Sequence, residues 1–228
     1  MPTANGALRL YRKQGFRGVL RVAFNRLILR RPDSPYQVKV SSGAPVRFAL
    51  LDAALPSDCA SLLDIGSNLG DVTAHFAQRG IWSVGVERSQ NLVRAAARRH
   101  ASVSECAFMH MTIGPGSAAR VPAFDAVLVL SVHHHWVREY GPEGASNMLR
   151  DLADRTARVM IFEGAARAER YGMYPPDFVD NDEESVTEYL ENYLRSTVGD
   201  RFRQIVPLGK TPNVGEREPY RWSFALYR

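Results

Sequence analysis

From residue 61 onward, short apolar runs alternate with longer stretches in which apolar residues return every three or four positions. The short runs predict strands, and the three-to-four spacing predicts helices with one buried face. Strand runs fall at 61–65, 82–87, 107–111, 126–131, 159–163, 202–207 and 222–227, and helical stretches at 69–78, 90–100, 142–153 and 183–194. Alternating strands and helices predict an α/β body, a seven-stranded, mostly parallel sheet with helices on both faces. Only a loop separates the last two runs, too little for a crossover helix. They are expected to pair antiparallel and to give the sheet an antiparallel C-terminal edge strand.

Upstream the pattern changes. Between residues 8 and 29, Leu8, Tyr11, Phe16, Val19, Leu20, Ala23, Phe24, Leu27 and Ile28 recur at helical spacing with arginines between them, predicting one amphipathic helix or two broken near Gly15 and Gly18. Arg31-Pro32 ends it, because proline disfavours the helical conformation at the residue before it. A short helix follows over 48–55. The expected organisation is therefore an N-terminal basic amphipathic helical segment, 1–55, and an α/β domain, 56–228.

At 228 residues and 45% hydrophobic content, one α/β core is affordable in size, and two would be cramped. Dividing the net charge of +5 changes the picture: residues 1–40 hold nine basic residues against Asp33, a net of +8, so the remainder carries −3. The basic arm reads either as a helix with a solvated charged face or as a surface for anionic lipid, RNA or an acidic ligand. Cys59 and Cys106 are far apart and outside any C-x-x-C pattern, which argues against a disulfide framework or zinc site. With no apolar run of membrane-spanning length and no secretory-type leader, a cytoplasmic location is expected.

The segment Leu62-Leu63-Asp64-Ile65-Gly66-Ser67-Asn68-Leu69-Gly70-Asp71 runs from an apolar strand through a glycine turn into a helix. Such a turn lies at the carboxyl end of the strands, where ligands of open α/β sheets bind. Gly66 lets the backbone pass close to a ligand, and Gly70 allows close approach of the helix. A dinucleotide fingerprint would need glycine two places after Gly66, where Asn68 stands. Asp64 would repel a phosphate and attract an ammonium group.

These residues resemble motif I of the class I S-adenosylmethionine-dependent methyltransferases, and the resemblance spans about 61–163. It implies a Rossmann-like fold and S-adenosylmethionine as cofactor, with Asp64, Gly66, Ser67, Asn68 and Gly70 forming the cofactor loop. It also implies an acid at the end of the second strand for the ribose hydroxyls, which Glu87 supplies, followed by Arg88. The third strand departs from the pattern, reading His110-Met111-Thr112-Ile113 without an acid, so Met111 and Thr112 are expected to meet the adenine through backbone and apolar contacts. Ser131, closing the fourth strand, completes the cofactor set.

After the fourth strand comes Ser131-Val132-His133-His134-His135-Trp136, where a class I enzyme places residues beside the transferable methyl. The Asn-Pro-Pro-Tyr motif of amide and base-nitrogen methylation is absent, as is a Pro-Cys nucleophile, which favours an oxygen acceptor by elimination. An imidazole removing the acceptor's proton adds roughly 10²–10⁴ in rate, giving His134 and His135 a catalytic assignment. Glu163, ending the fifth strand, is expected to orient a histidine or bind a substrate hydroxyl. Two alternatives stay open: the histidines serve packing, or Glu163 and one or two of them hold a divalent metal such as magnesium.

His133, Trp136, Tyr171 and Tyr174 are the expected substrate contacts, the tyrosines lying in an aromatic and charged loop, 167–178, suited to a polyhydroxylated ring. The plan is similar to small bacterial saccharide O-methyltransferases, with a mannoside of a methylated polysaccharide as one acceptor. An RNA methyltransferase acting on phosphate or ribose, and a non-catalytic methyltransferase-like binding protein, are the alternatives. A small-molecule or oligosaccharide partner is expected, an anionic surface for the arm and a homo-oligomer remaining open.

Overall fold

A computed structural model describes residues 44–171, 178–215 and 218–228. The basic arm up to residue 43, Tyr174 and the side chain of Tyr171 lie outside the described residues. The chain runs α1 (Ala44–Ala54), β1 (Ser61–Ile65), α2 (Asp71–Ala77), β2 (Trp82–Glu87), α3 (Gln90–Arg99), β3 (Cys106–His110), β4 (Phe124–Leu130), α4 (His133–Asp154), β5 (Thr156–Ala165), α5 (Glu183–Val198), β6 (Gln204–Gly215) and β7 (Glu218–Tyr227).

One seven-stranded sheet has the order β3-β2-β1-β4-β5-β7-β6. Pairings from β3 to β5 are parallel, while β7 pairs antiparallel with both β5 and β6. The expected antiparallel pair thus occupies one edge, with β7 inside and β6 outermost. A short connection makes β6 and β7 a hairpin, and the later strand takes the place beside β5.

Strand alternation sorts the core into two layers. Leu63, Ile65, Val127, Val129, Met160 and Phe162 face α4 and α5, meeting Met148, Leu149, Leu152, Leu190 and Leu194. Leu62, Leu128, Leu130 and Ile161 face the other way, onto Leu51 and Ala54 of α1 and Phe76 of α2. Because Asp64 and Glu163 sit two places beyond Leu62 and Ile161, both acids project to the α1 side at the carboxyl end of the sheet.

Two helices show how local sequence sets the frame. In α5, the carboxylate of Asp182 accepts from the Ser185 backbone N–H at 2.9 Å and caps the N-terminus, and Val186, Leu190 and Leu194 bury a stripe at helical spacing. Helix α4 begins at His133, nine residues before the expected start at 142, and bends at Gly141, whose φ of 74° and ψ of 170° break the helical run before Pro142. The residues expected in a loop, His133 to Trp136, therefore form a helical turn. Among the described residues no helix is long and apolar enough to cross a membrane.

Candidate active site

The β1–α2 turn is fixed by backbone bonds to β2. Gly66 N–H and Ser67 N–H both donate to Val86 O, at 2.8 and 3.0 Å, and Gly70 N–H closes the turn on Ser67 O at 2.8 Å. Gly66 (φ 73°) and Gly70 (φ 77°) adopt the left-handed region, and so does Asn68 (φ 55°). A Cβ on Gly66 would lie 2.6 Å from Val132 Cγ2, and one on Gly70 would lie 2.3 Å from the Phe108 ring. The first contact seats the turn entering α4 directly against the glycine loop. Gly85 contributes from β2, since a Cβ there would meet Ser67 Oγ and Thr73 Oγ1 within 2.8 Å.

Two carboxylates flank the loop. Asp64 is buried, accepts from Thr73 Oγ1 at 2.7 Å, and is pushed up to about 6 by burial, against the pull of Thr73 and of the Arg47 cation. Glu87, also buried, accepts from Asn68 N–H at 3.2 Å and Ser89 N–H at 2.8 Å. Ser67 Oγ and Asn68 Oδ1 are buried with no hydrogen-bond partner among the described residues. Downstream, Met111 N–H donates to Glu87 O at 3.1 Å, while Thr112 is exposed and Arg88 pairs with Glu139 at 3.0 Å on the surface.

The histidine turn splays its side chains, as successive helical positions must. His133 is buried, with Nε2 2.7 Å from the Tyr193 hydroxyl and its ring edge-on to Phe162; burial lowers it to about 4. His134 is 1% exposed, and its Nε2 has no hydrogen-bond partner among the described residues. Burial, then His135, Arg221 and Arg170, lower it to about 2. His135 is exposed, its ring centroid 4.2 Å from that of His134, and it too is lowered, by partial desolvation and by Arg88, Arg138, Arg170 and Arg221. Trp136 is 4% exposed within the α4 layer. Thus His133 and Trp136, expected to touch substrate, pack the body instead.

Glu163 is brought to the same end of the sheet but not onto a histidine. Its carboxylate accepts from Arg47 Nε at 2.9 Å, from Arg47 Nη2, from Ser131 Oγ at 2.5 Å and from Thr211 Oγ1 at 3.1 Å. Burial would raise this acid, but the Arg47 charge, the bonds from Ser131 and Arg47 and the field of Arg221 outweigh it and hold it below its ordinary value. Ser131 itself carries a φ of 57°, a strained backbone that the two bonds to Glu163 retain, one through its side chain and one from its N–H to Glu163 O at 3.1 Å. Among the described residues no group of three or more His, Cys, Asp or Glu side chains is gathered to hold a metal, and the Glu163 oxygens are already engaged. Arg47 and Thr211 were not singled out from the sequence, since no local pattern marks a residue that acts across the sheet.

The family model for a methyltransferase domain matches residues 63–159, the span that carries the glycine loop, both carboxylate strands and the histidine turn. Residues 63–159 therefore carry a methyltransferase domain. Among solved structures, the methyltransferase is similar to magnesium protoporphyrin IX methyltransferase (ChlM) from Synechocystis PCC 6803 with bound SAM, with TM-score 0.57 and 21% identity over 92% of this chain and 95% of that one. It is also similar to the bifunctional kinase-methyltransferase WbdD (TM-score 0.54, 20% identity, 80% of this chain and 38% of that one). A third is the N-terminal domain of EvdMO1 in the presence of SAH and D-fucose (TM-score 0.57, 17% identity, 83% of this chain and 84% of that one). At these identities the likeness is one of fold. No curated protein matches the sequence.

The site fits S-adenosylmethionine as the cofactor of the methyltransferase domain. The fit rests on the buried, cation-seeking Asp64 and on the partnerless Ser67 Oγ and Asn68 Oδ1.

Proposed function

We propose that the methyltransferase transfers a methyl group to an oxygen of a saccharide. The observation that carries the reading is the contact of Gly66 with Val132, which joins the cofactor loop to a turn presenting imidazoles rather than an amide-recognising motif. A fold relative crystallised in the presence of D-fucose supports the saccharide. At the described ends of the 167–178 loop, Asp180 accepts from Arg167 Nε at 3.1 Å and from Ala168 N–H at 2.8 Å, which ties the loop's base.

When bound, S-adenosylmethionine supplies an electrophilic methyl on a sulfonium centre. Asp64 holds the cationic amine of the ligand, Glu87 accepts from the ribose hydroxyls, Ser67 and Asn68 give their partnerless atoms to polar edges, and the backbone beside Met111 meets the adenine. Ser131 and His135 border the acceptor. Proton removal by His134 is ill served, because an imidazole lowered to about 2 is a weak base near neutral pH. The neutral rings of His134 and His135 instead orient the acceptor oxygen by hydrogen bonds.

Calorimetric titration with S-adenosylmethionine, followed by transfer from the radiolabelled cofactor to saccharides and to 5′-phosphorylated RNA, tests the reading. Saccharide turnover is expected. Turnover with RNA alone would sink the saccharide assignment, and no cofactor binding up to millimolar ligand would sink the assigned cofactor contacts.

A further inference from the structure

Helix α1 turns one stripe toward the sheet. Leu51 and Ala54, both buried, follow Arg47 by four and seven positions, so the guanidinium descends on the same face as the apolar residues that anchor the helix. It meets Glu163 through two nitrogens, Nε at 2.9 Å from Oε2 and Nη2 on Oε1. A two-point grip of this kind fixes the plane of a carboxylate as well as its place. The same oxygens are bonded onward, Oε2 to Thr211 Oγ1 at 3.1 Å and Oε1 to Ser131 Oγ at 2.5 Å.

Ser131 is the residue that needs holding. Its φ of 57° lies in the left-handed region, which is costly for any residue with a Cβ. Two bonds to Glu163 oppose its relaxation, one from Oγ and one from the Ser131 N–H to Glu163 O at 3.1 Å. The backbone at Ser131 sets the direction in which Val132 leaves β4. The three atoms nearest a Cβ built on Gly66 all belong to Val132, with Cγ2 at 2.6 Å and Cγ1 at 3.8 Å. Gly66 in turn opens the loop that carries the partnerless Ser67 Oγ and Asn68 Oδ1. A continuous line of contacts thus runs from α1 to the glycine loop through Arg47, Glu163, Ser131 and Val132.

We propose that Arg47 is a positioning residue for cofactor binding: through Glu163 it holds Ser131 in the left-handed conformation that seats Val132 against Gly66. The inference rests on the assignment of S-adenosylmethionine to the glycine loop, and goes beyond it because Arg47 acts on the loop from α1 without being part of it. With the guanidinium removed, Ser131 relaxes, Val132 leaves its seat, and the ligand must reorder the loop at a cost in affinity. Arg47 also places a positive charge near Asp64, and the test separates that influence from the hold on Ser131.

The test measures the affinity of the full chain for S-adenosylhomocysteine by calorimetry, beside urea unfolding of the same proteins. Arg47→Met is expected to weaken binding about 10-fold, and Arg47→Lys, which keeps a cation but loses the two-point grip, about 5-fold. Ser131→Gly, added to either variant, is the deciding step. Glycine enters the left-handed region without the Cβ penalty, so the added substitution should return the affinity to within about 2-fold of the unmutated protein. The urea midpoint of Arg47→Met should stay low in that double variant, because Glu163 is still buried without its cation. Gly141→Ala, which strains the bend in α4, should leave S-adenosylhomocysteine affinity unchanged.

Unchanged affinity in the Arg47 variants overturns the inference. So does a loss that Ser131→Gly leaves in full, which would assign the effect to the charge near Asp64 or to stability, and so does an equal loss in Gly141→Ala. Should Arg47→Met fail to fold, Arg47→Lys carries the same comparison. The cofactor assignment fails differently. If the unmutated protein binds no S-adenosylhomocysteine, that assignment falls and the inference with it, whereas equal binding by the unmutated protein and every variant removes the inference alone.

Discussion

Asp64 is a cost to the ligand-free fold. Its folded pKa is raised from 3.8 to about 6, so above that pH the ionised form is disfavoured relative to the unfolded chain, and the penalty is relieved as pH falls from about 6 toward 4. A rise of about two units is on the order of 3 kcal/mol at neutral pH. Asp64→Asn is therefore expected to raise the melting temperature of the ligand-free protein at pH 7.5 by roughly 5 °C and to abolish cofactor binding. In the unmutated protein, cofactor affinity should weaken as pH drops through about 6, because the protonated carboxyl no longer attracts an ammonium; calorimetry between pH 5 and 8 checks it. Gly66→Ala should cost cofactor affinity at least about 10-fold, since it both strains a left-handed backbone and pushes on Val132. Pairing it with Val132→Ala should restore only part of the loss, because the φ requirement remains.

The element that departs furthest from its sequence pattern is α4. Gly141-Pro142 looks like a break, and only eight residues precede it in the helix, too few to establish a period. With φ 74° and ψ 170°, Gly141 occupies a region that is essentially glycine-only, which lets one helical segment follow another around a bend. Nothing lies within 4 Å of a Cβ built there, so backbone strain alone should make Gly141→Ala destabilising, by about 1–3 kcal/mol. A denaturant midpoint unchanged by that substitution would contradict the account. By contrast, β1, β2, β4 and β5 were legible because each is an apolar run buried along most of its length on both sides, a pattern that chain-local hydrophobicity states directly. The positions of Asp64, Gly66 and Glu87 at the carboxyl ends of β1 and β2 were legible for the same reason.

At the scale of the molecule, the contacts that close the site run between residues far apart in the chain. Arg47 and Glu163 are 116 positions apart, and Thr211 reaches Glu163 across 48. No sequence periodicity encodes such pairs, so the expected partnership of Glu163 with a histidine gave way to one with α1. Because Glu163 is held below its ordinary pKa, its contribution to stability is present above the unfolded value near 4.5 and is lost as pH falls through the lower folded value. Arg47→Met removes the main cause, and with Ser131 and Thr211 still bonded and Arg47 partly exposed, the loss should be about 2–4 kcal/mol at pH 7, with acid unfolding beginning at higher pH. Urea titrations at pH 7 and pH 5 measure both effects.

The place of β7 between β5 and β6 has a consequence in time. During synthesis β6 leaves the ribosome first, yet it has no sheet neighbour until β7 follows, because its pairing is to β7. Until then β5, with its buried run Val159 to Phe162, presents an unpaired apolar edge of the kind that recruits other chains. Arg221 and Thr211 arrive with the same hairpin. A growing chain would thus gain protection from aggregation and the Thr211 bond to Glu163 in a single late event, and premature termination before residue 218 would forfeit the pairing of β5.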